Sequence, residues 1–217
     1  MSELERTAMR PLQSDSRTAD PVSLDREEAD LLRQVAGKDI AAFEQLYRAY
    51  YRRLNRFLDQ VTRKPHLNDE ILDDTMMVVW RKAPAFNGRS RVSTWVFAIA
   101  YKKALKALRR EPRLQDALPE THTDADAGTW ASGPETELID RESRLSIRHL
   151  LSTLSAEQRA VIELTYYHGY AYKDIAAVVG CPIATVKTRM FHARRRLREM
   201  LIAQGQEPVE NALLPLR

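Results

Sequence analysis

The chain has 217 residues and a formal charge of +4, enough for one large domain or two small ones. Its single cysteine, Cys181, excludes a disulfide framework and a cysteine-rich zinc site. No run approaches the ~18 apolar residues of a membrane span, and the start, Met1-Ser-Glu-Leu-Glu, lacks the features of a signal peptide. A soluble, cytoplasmic protein is expected.

Residues 1–24 mix Ser, Thr, Asp, Arg and Pro without apolar periodicity and read as a disordered or loosely held tail. From Asp25 to Arg110 the pattern is helical. Leu31, Leu32 and Val35, then Ile40, Phe43, Leu46, Tyr47, Tyr50 and Leu54, recur at three- and four-residue spacing. Gly37-Lys-Asp39 is suited to end one helix and cap the next. Asn68-Asp-Glu is expected to start another, carrying Ile71, Leu72, Thr75, Met76, Val79 and Trp80. Pro84–Ser90 reads as a loop, and a further helix is predicted from about Val92 to Arg110.

That last helix holds Lys102, Lys103, Lys106, Arg109 and Arg110 with no acid, and Arg89 and Arg91 lie just before it. Trp95 shares a face with Lys102, Lys106 and Arg109. Cations beside a stacking ring suit a splayed single strand as well as a duplex; Trp95 as simple core is the alternative. Val96, Phe97, Ala100, Tyr101, Ala104 and Leu108 supply an opposite, apolar face.

Between Glu111 and Arg144 stand nine acidic and three basic residues, a local charge of −6, so the rest of the chain carries +10. Pro112, Pro119, Gly128, Gly133 and Pro134 give this stretch a linker composition. Its lone Trp130 suits docking on a nearby surface. Basic flanks around an acidic middle imply two nucleic-acid-facing units joined by a segment of opposite sign.

The helical signal returns at about Leu145. Ser155-Ala-Glu-Gln158 fits a capping box, Val161, Ile162, Leu164 and Thr165 follow, and Gly169 can end the helix. Tyr172–Val179, a Gly180-Cys-Pro182 turn and a cation-rich second helix then have the layout of a helix-turn-helix. Ile175, Ala176 and Val179 are spaced to face inward in the first helix, and Val186, Met190, Ala193 and Leu197 in the second. From Pro182 to Arg198 there are six cations and no acid, which argues against a merely solvated face. Thr185, Lys187, Thr188 and Arg189 occupy the N-terminal half, the part that reaches base edges in this motif. Arg194, Arg195 and Arg196 are better placed for phosphates. His192 fits a packing or phosphate contact as well as a base contact. Residues 203–217 read as a C-terminal tail.

Three segments in this order, Asn68–Lys82, Arg91–Ala100 and Tyr172–Leu197, resemble bacterial extracytoplasmic-function sigma factors, over about Asp25 to Leu201 without the linker. The resemblance implies an all-α fold: a sigma-two helical bundle (25–112) and a sigma-four helix-turn-helix domain (145–202), joined by a flexible acidic linker (113–144). It implies a non-enzymatic subunit without cofactor or metal that binds core RNA polymerase, at the clamp helices of the largest subunit and the flap of the second. Glu70, Asp73, Asp74, Met77 and Trp80 match the polymerase-binding positions, where carboxylates facing a basic surface make charge-assisted contacts. For Glu70 and its neighbour Asp69, a solvated first turn favoured by the helix dipole remains open. Phe86, Asn87, Arg89, Trp95, Lys102, Lys103, Lys106 and Arg109 fall on the element that captures the minus-ten sequence. Thr185, Lys187, Thr188, Arg189, His192 and Arg194–Arg196 fall on the reader of the minus-thirty-five sequence. An anti-sigma factor is the implied regulator.

The chain departs from the family pattern at Lys102 and Lys106, where relatives often carry Asn or Asp, at Val78, and at Ala171, where Ser often caps the helix. Two other classes fit less well. A stand-alone helix-turn-helix regulator leaves the Asn68–Trp80 and Trp95 helices without a role. A nuclease lacks support because the five histidines are scattered, with His66 near Asp69 the only hint.

Overall fold

The computed structural model describes residues 21–111 and 150–203, and every regular element among them is helical. The expected N-terminal tail up to residue 20, the linker with Trp130, and the tail beyond residue 203 lie outside the described residues. Four helices come first: α1 (Pro21–Ala36), α2 (Ile40–Thr62), α3 (Pro65–Lys82) and α4 (Val92–Arg110), with a 3-10 turn at Ala83–Ala85. After a helical stretch at 150–152 come α5 (Ala156–Tyr166), α6 (Tyr172–Val179) and α7 (Ile183–Ala203).

Local chemistry sets most boundaries. Asp39 caps α2, its side chain accepting from the Ala42 amide at 3.1 Å. The Ser155 hydroxyl accepts from the Gln158 amide while the Gln158 side chain accepts from the Ser155 amide, so both halves of the capping box are made. Gly180, at φ +68°, closes α6 in the left-handed conformation that a turn into α7 requires. Two starts differ from expectation. α1 already includes residues 21–24, which the sequence reading gave to the tail. α3 begins at Pro65, a position where the missing amide is harmless. Asn68 does not start α3: it is buried inside the helix, where its Oδ1 accepts from the Thr62 hydroxyl at 3.0 Å.

Ala171, the residue that precedes α6 at its N-cap position, makes no side-chain cap. Ala171→Ser is therefore expected to stabilise the protein by about 0.5–1 kcal/mol, read as a raised urea midpoint. An unchanged or lowered midpoint would contradict this account of the α6 start.

The core of the first four helices is continuous. Leu32 and Val35 of α1, Leu46, Leu54, Phe57 and Leu58 of α2, Leu72, Met76 and Val79 of α3, and Val96, Phe97 and Ala100 of α4 are all buried. Ile40, counted in the apolar pattern, is instead 73% exposed. In the last three helices Ile175, Val178, Val186, Met190 and Ala193 are buried, with Ala176 and Val179 packed beside them. Val178 is thus a core residue that the spacing argument passed over.

The two helical groups also pack on each other, α5 against α2 and α6 against α4. Arg159 of α5 caps the C-terminus of α2: Nε donates to the Gln60 carbonyl and Nη2 to the Val61 carbonyl, both at 2.8 Å. Those carbonyls have no partner within their own helix, and they sit at the negative end of its dipole. Arg56 of α2 pairs with the buried Glu163 of α5 at 2.8 Å.

Candidate nucleic-acid interface

Helix α7 presents most of its cations outward because its apolar stripe, Val186, Met190 and Ala193, is turned to the core. Lys187, Thr188, His192, Arg195 and Arg196 are exposed; Thr185, Arg189 and Arg194 are half-buried. The Thr188 hydroxyl donates to the Ala184 carbonyl at 3.0 Å, and Arg195 pairs with Glu199 at 2.8 Å. Arg194 donates to the Tyr166 hydroxyl at 2.6 Å, which fixes the guanidinium at the edge of the face. Arg189 turns back toward the turn before α7, where its Nη1 donates to the Cys181 sulfur at 3.9 Å. Phe191 belongs to this surface and was missed: it is 62% exposed and its ring lies 5.5 Å from that of His192. Its position four residues after Lys187 and three after Thr188 placed it on the same face.

The loop before α4 and the helix itself form a second basic surface. Phe86 and Trp95, both half-buried, bring their rings to 5.2 Å. Between them the Asn87 side chain accepts from the Arg89 amide at 3.1 Å and Gly88 takes φ +68°, a tight turn that leaves Asn87 and Arg89 exposed. Lys102, Lys106 and Arg109 are exposed along α4. Lys103 points elsewhere, to a 2.5 Å ion pair with Asp74 of α3.

On α3, Glu70, Asp73, Asp74 and Met77 are exposed along one side, with Met77 at 50%. Trp80 is half-buried, its ring edge-on to Phe43 at 5.1 Å and beneath the Lys38 ammonium at 4.9 Å. Tyr47 donates to Asp73 at 2.8 Å, and its own ring stacks with Tyr51 at 6.1 Å. Burial first, then this carboxylate, pushes the Tyr47 phenol up to about 12. Ile40, Phe43, Tyr47 and Tyr51 of α2 therefore continue the apolar strip of Met77 and Trp80, with carboxylates along its rim. The sequence counted Phe43 and Tyr47 in the apolar repeat of this helix, and that spacing does not distinguish an inner stripe from a half-exposed one.

Among the described residues no group of three or more His, Cys, Asp or Glu is arranged to hold a metal ion. His66, the weak hint of a nuclease, pairs with Glu111 at 2.9 Å. His168 sits between the two helical groups, 4.7 Å from the Phe97 ring and 6.3 Å from Phe57. Burial, and then Arg53 and Arg56, push its imidazole from 6.5 down to about 4. The unfolded chain then takes up this proton first, so stability is present above pH 6.5 and is lost as pH falls toward 4. His168→Phe, which keeps the ring contacts and removes the titration, is expected to lose less stability than the wild type between pH 7 and 5. Parallel melting-temperature profiles would refute this.

Two cation-bearing helical surfaces, one of them a helix-turn-helix, on an all-helical frame suit a DNA-reading protein. Residues 46–114 match the family model "Sigma-70 region 2" and residues 144–197 match "Sigma-70, region 4". The chain is 29% identical to the ECF RNA polymerase sigma-E factor of Haemophilus influenzae over 86% of its length and 95% of that protein. It is 30% identical to the ECF RNA polymerase sigma factor SigM of Mycobacterium tuberculosis, over 82% and 86% respectively. Among solved structures, it is similar to the sigma factor RpoE of Bartonella quintana, crystallised with the anti-sigma factor NepR. There the TM-score is 0.58 at 26% identity, covering 75% of this chain and 98% of that one. CnrH, solved with the cytosolic domain of CnrY, shares the fold at TM-score 0.61 and 21% identity, covering 82% and 98%. The chain belongs to the extracytoplasmic-function RNA polymerase sigma factors. No described helix is long and apolar enough to cross a membrane.

Proposed function

We propose that this chain is a dissociable specificity subunit that brings core RNA polymerase to particular promoters and nucleates their melting. In this reading residues 25–112 form a sigma-two unit, residues 145–202 a sigma-four unit, and residues 113–144 the tether. The observation that carries it is the separation of surfaces. An apolar strip rimmed by Glu70, Asp73 and Asp74 lies on α2 and α3, while acid-poor basic faces lie on α4 and α7. The first suits a basic protein partner with an apolar centre, the clamp helices of the largest polymerase subunit; the flap of the second subunit is assigned to the sigma-four unit. The basic faces suit DNA.

On α4, Phe86 and Trp95 are paired rings beside Arg89, Lys102, Lys106 and Arg109, suited to hold an unstacked base of the minus-ten element. On α7, Thr185, Lys187, Thr188, Arg189 and His192 face the minus-thirty-five element, and Arg194, Arg195 and Arg196 its phosphates. Each unit alone has few phosphate contacts. Tethering both to one polymerase raises their effective concentration on a single promoter without adding a contact. Control by an anti-sigma factor is supported by the partner with which RpoE of Bartonella quintana was crystallised.

Run-off transcription with purified core enzyme tests the reading. Initiation from a discrete set of genomic start sites, dependent on added protein, is expected. Tight, specific DNA binding without polymerase and no directed initiation would favour a stand-alone regulator instead.

A further inference from the structure

Arg194, Arg195 and Arg196 follow one another on α7, but what holds each of them differs in kind. Arg195 is tied to Glu199 at 2.8 Å, one turn on, with both side chains well exposed. A carboxylate that holds a guanidinium also cancels its charge, so Arg195 exchanges one anion for another when it meets a phosphate. Arg196 is exposed, with nothing to hold it among the described residues. Arg194 is held by a neutral group. Its Nη2 donates to the Tyr166 hydroxyl at 2.6 Å, and its guanidinium carbon lies 5.7 Å from the centre of the Tyr166 ring. Orientation is gained while the positive charge stays unpaired.

The place of this pair on α7 matters as much as its chemistry. Lys187, Phe191, Arg194 and Arg198 recur by four, three and four and so share one side of the helix. Lys187, Phe191 and Arg198 are exposed along that line. Arg194 stands where the line meets α5, whose last residue is Tyr166, itself 43% exposed. The Arg194 Nε is buried without a partner and Nη2 is on the phenol, which leaves Nη1 without a hydrogen bond among the described residues. The neighbouring Tyr167 serves a different cation, Arg56 of α2, whose guanidinium lies 3.4 Å from its ring centre. Tyr166 and Arg194 both belong to the last three helices, so their geometry does not depend on how those helices sit on α2 and α4.

We propose that Tyr166 is a positioning residue for DNA binding: its hydroxyl holds the Arg194 guanidinium extended, so that Arg194 grips one backbone phosphate beside the bases that α7 reads. This rests on the assignment of α7 as the minus-thirty-five reader. A free arginine samples many rotamers and loses them on binding, whereas one already fixed by a phenol has little left to lose. The contact is with a phosphate because Arg194 lies in the C-terminal half of α7, and base edges are reached by the N-terminal residues of such a helix. Phosphate contacts set the register of a protein on the duplex without reading its sequence. Tyr166 therefore contributes grip and angle, not base preference.

The test uses holoenzyme reconstituted from core RNA polymerase and the full chain, with a fluorescent promoter fragment from a start site found by run-off transcription. Binding is titrated at several salt concentrations for wild type, Tyr166→Phe, Arg194→Ala and the double variant. Phe keeps the ring and removes only the hydroxyl. Arg194→Ala is expected to flatten the slope of log affinity against log salt by about 0.9, one phosphate contact. Tyr166→Phe is expected to weaken binding about two- to tenfold, the cost of immobilising one long side chain, and to weaken it no further once Arg194 is replaced. Base changes in the minus-thirty-five element should cost Tyr166→Phe and wild type the same factor. A Tyr166 that serves only to close the C-terminal end of α5 would lower the melting temperature of Tyr166→Phe and leave its DNA affinity unchanged, and that result overturns the proposal. So does a Tyr166→Phe loss that persists beside Arg194→Ala, or a salt slope that Arg194→Ala does not move. If wild-type holoenzyme binds the fragment and replacing Lys187 and Thr188 by Ala does not weaken it, the assignment of α7 as reader has failed, and the role of Tyr166 with it.

Discussion

Reversing Asp73 and Asp74 together, to Lys, is expected to weaken association with core RNA polymerase about 100-fold, roughly 2.7 kcal/mol. Both carboxylates are exposed on α3 at the rim of the Met77–Trp80 strip. Against a basic partner, two such reversals replace attraction by repulsion, and like-charge juxtaposition at an interface costs several kcal/mol. The fold should survive. The Lys103–Asp74 pair leaves Asp74 largely exposed, and such surface pairs contribute about 0–1 kcal/mol. The Tyr47–Asp73 hydrogen bond is also exposed. Titration of fluorescent core enzyme measures the loss, and circular dichroism controls for folding. An affinity within twofold of wild type would remove the acidic rim from the docking surface.

The largest stability effect is expected at Phe97, for which substitution by Ala should cost about 3–5 kcal/mol. The ring is fully buried, 5.1 Å from Phe57, 4.7 Å from His168 and 5.7 Å from Tyr170. It therefore supports the first four helices and also the face on which the turn between α5 and α6 rests. A urea unfolding series is the measurement; a loss under 1 kcal/mol would mean that the cavity collapses and that the ring cluster is not a keystone. Phe97→Leu, which keeps most of the volume, should recover much of the difference.

The sequence made helices legible where a side chain closes a helix end or a residue permits a turn. Asp39, the Ser155–Gln158 pair and Gly180 stand where they were expected to stand. The start of α3 was not legible, because Asn68 has the chemistry of a cap but is consumed by Thr62 in the interior. On α7 the apolar stripe identified which side was free, so the cationic face followed from spacing alone. On α4 the same logic gave Lys102, Lys106 and Arg109 but not the direction of Lys103. That depends on where α3 places Asp74, a relation between two helices that no single-helix pattern contains. The apolar strip along α2 was hidden for a related reason. Ile40 and Tyr51 repeat with the same period as the core, and only the packing of α3 reveals which repeats are left uncovered.

Helix α6 spans only Tyr172–Val179 and begins at Ala171 without a side-chain cap. Eight residues are too few to hold a helix in water by themselves, since isolated helices shorter than about 12–15 residues are marginal. Its shape is borrowed from the surfaces of α4, α5 and α7 that enclose it. A peptide excised as Tyr172–Ala203 should therefore be largely unstructured along its first half and leave α7 with nothing to set its angle. Any minimal fragment meant to keep α6 folded and α7 at its angle must carry α5 as well.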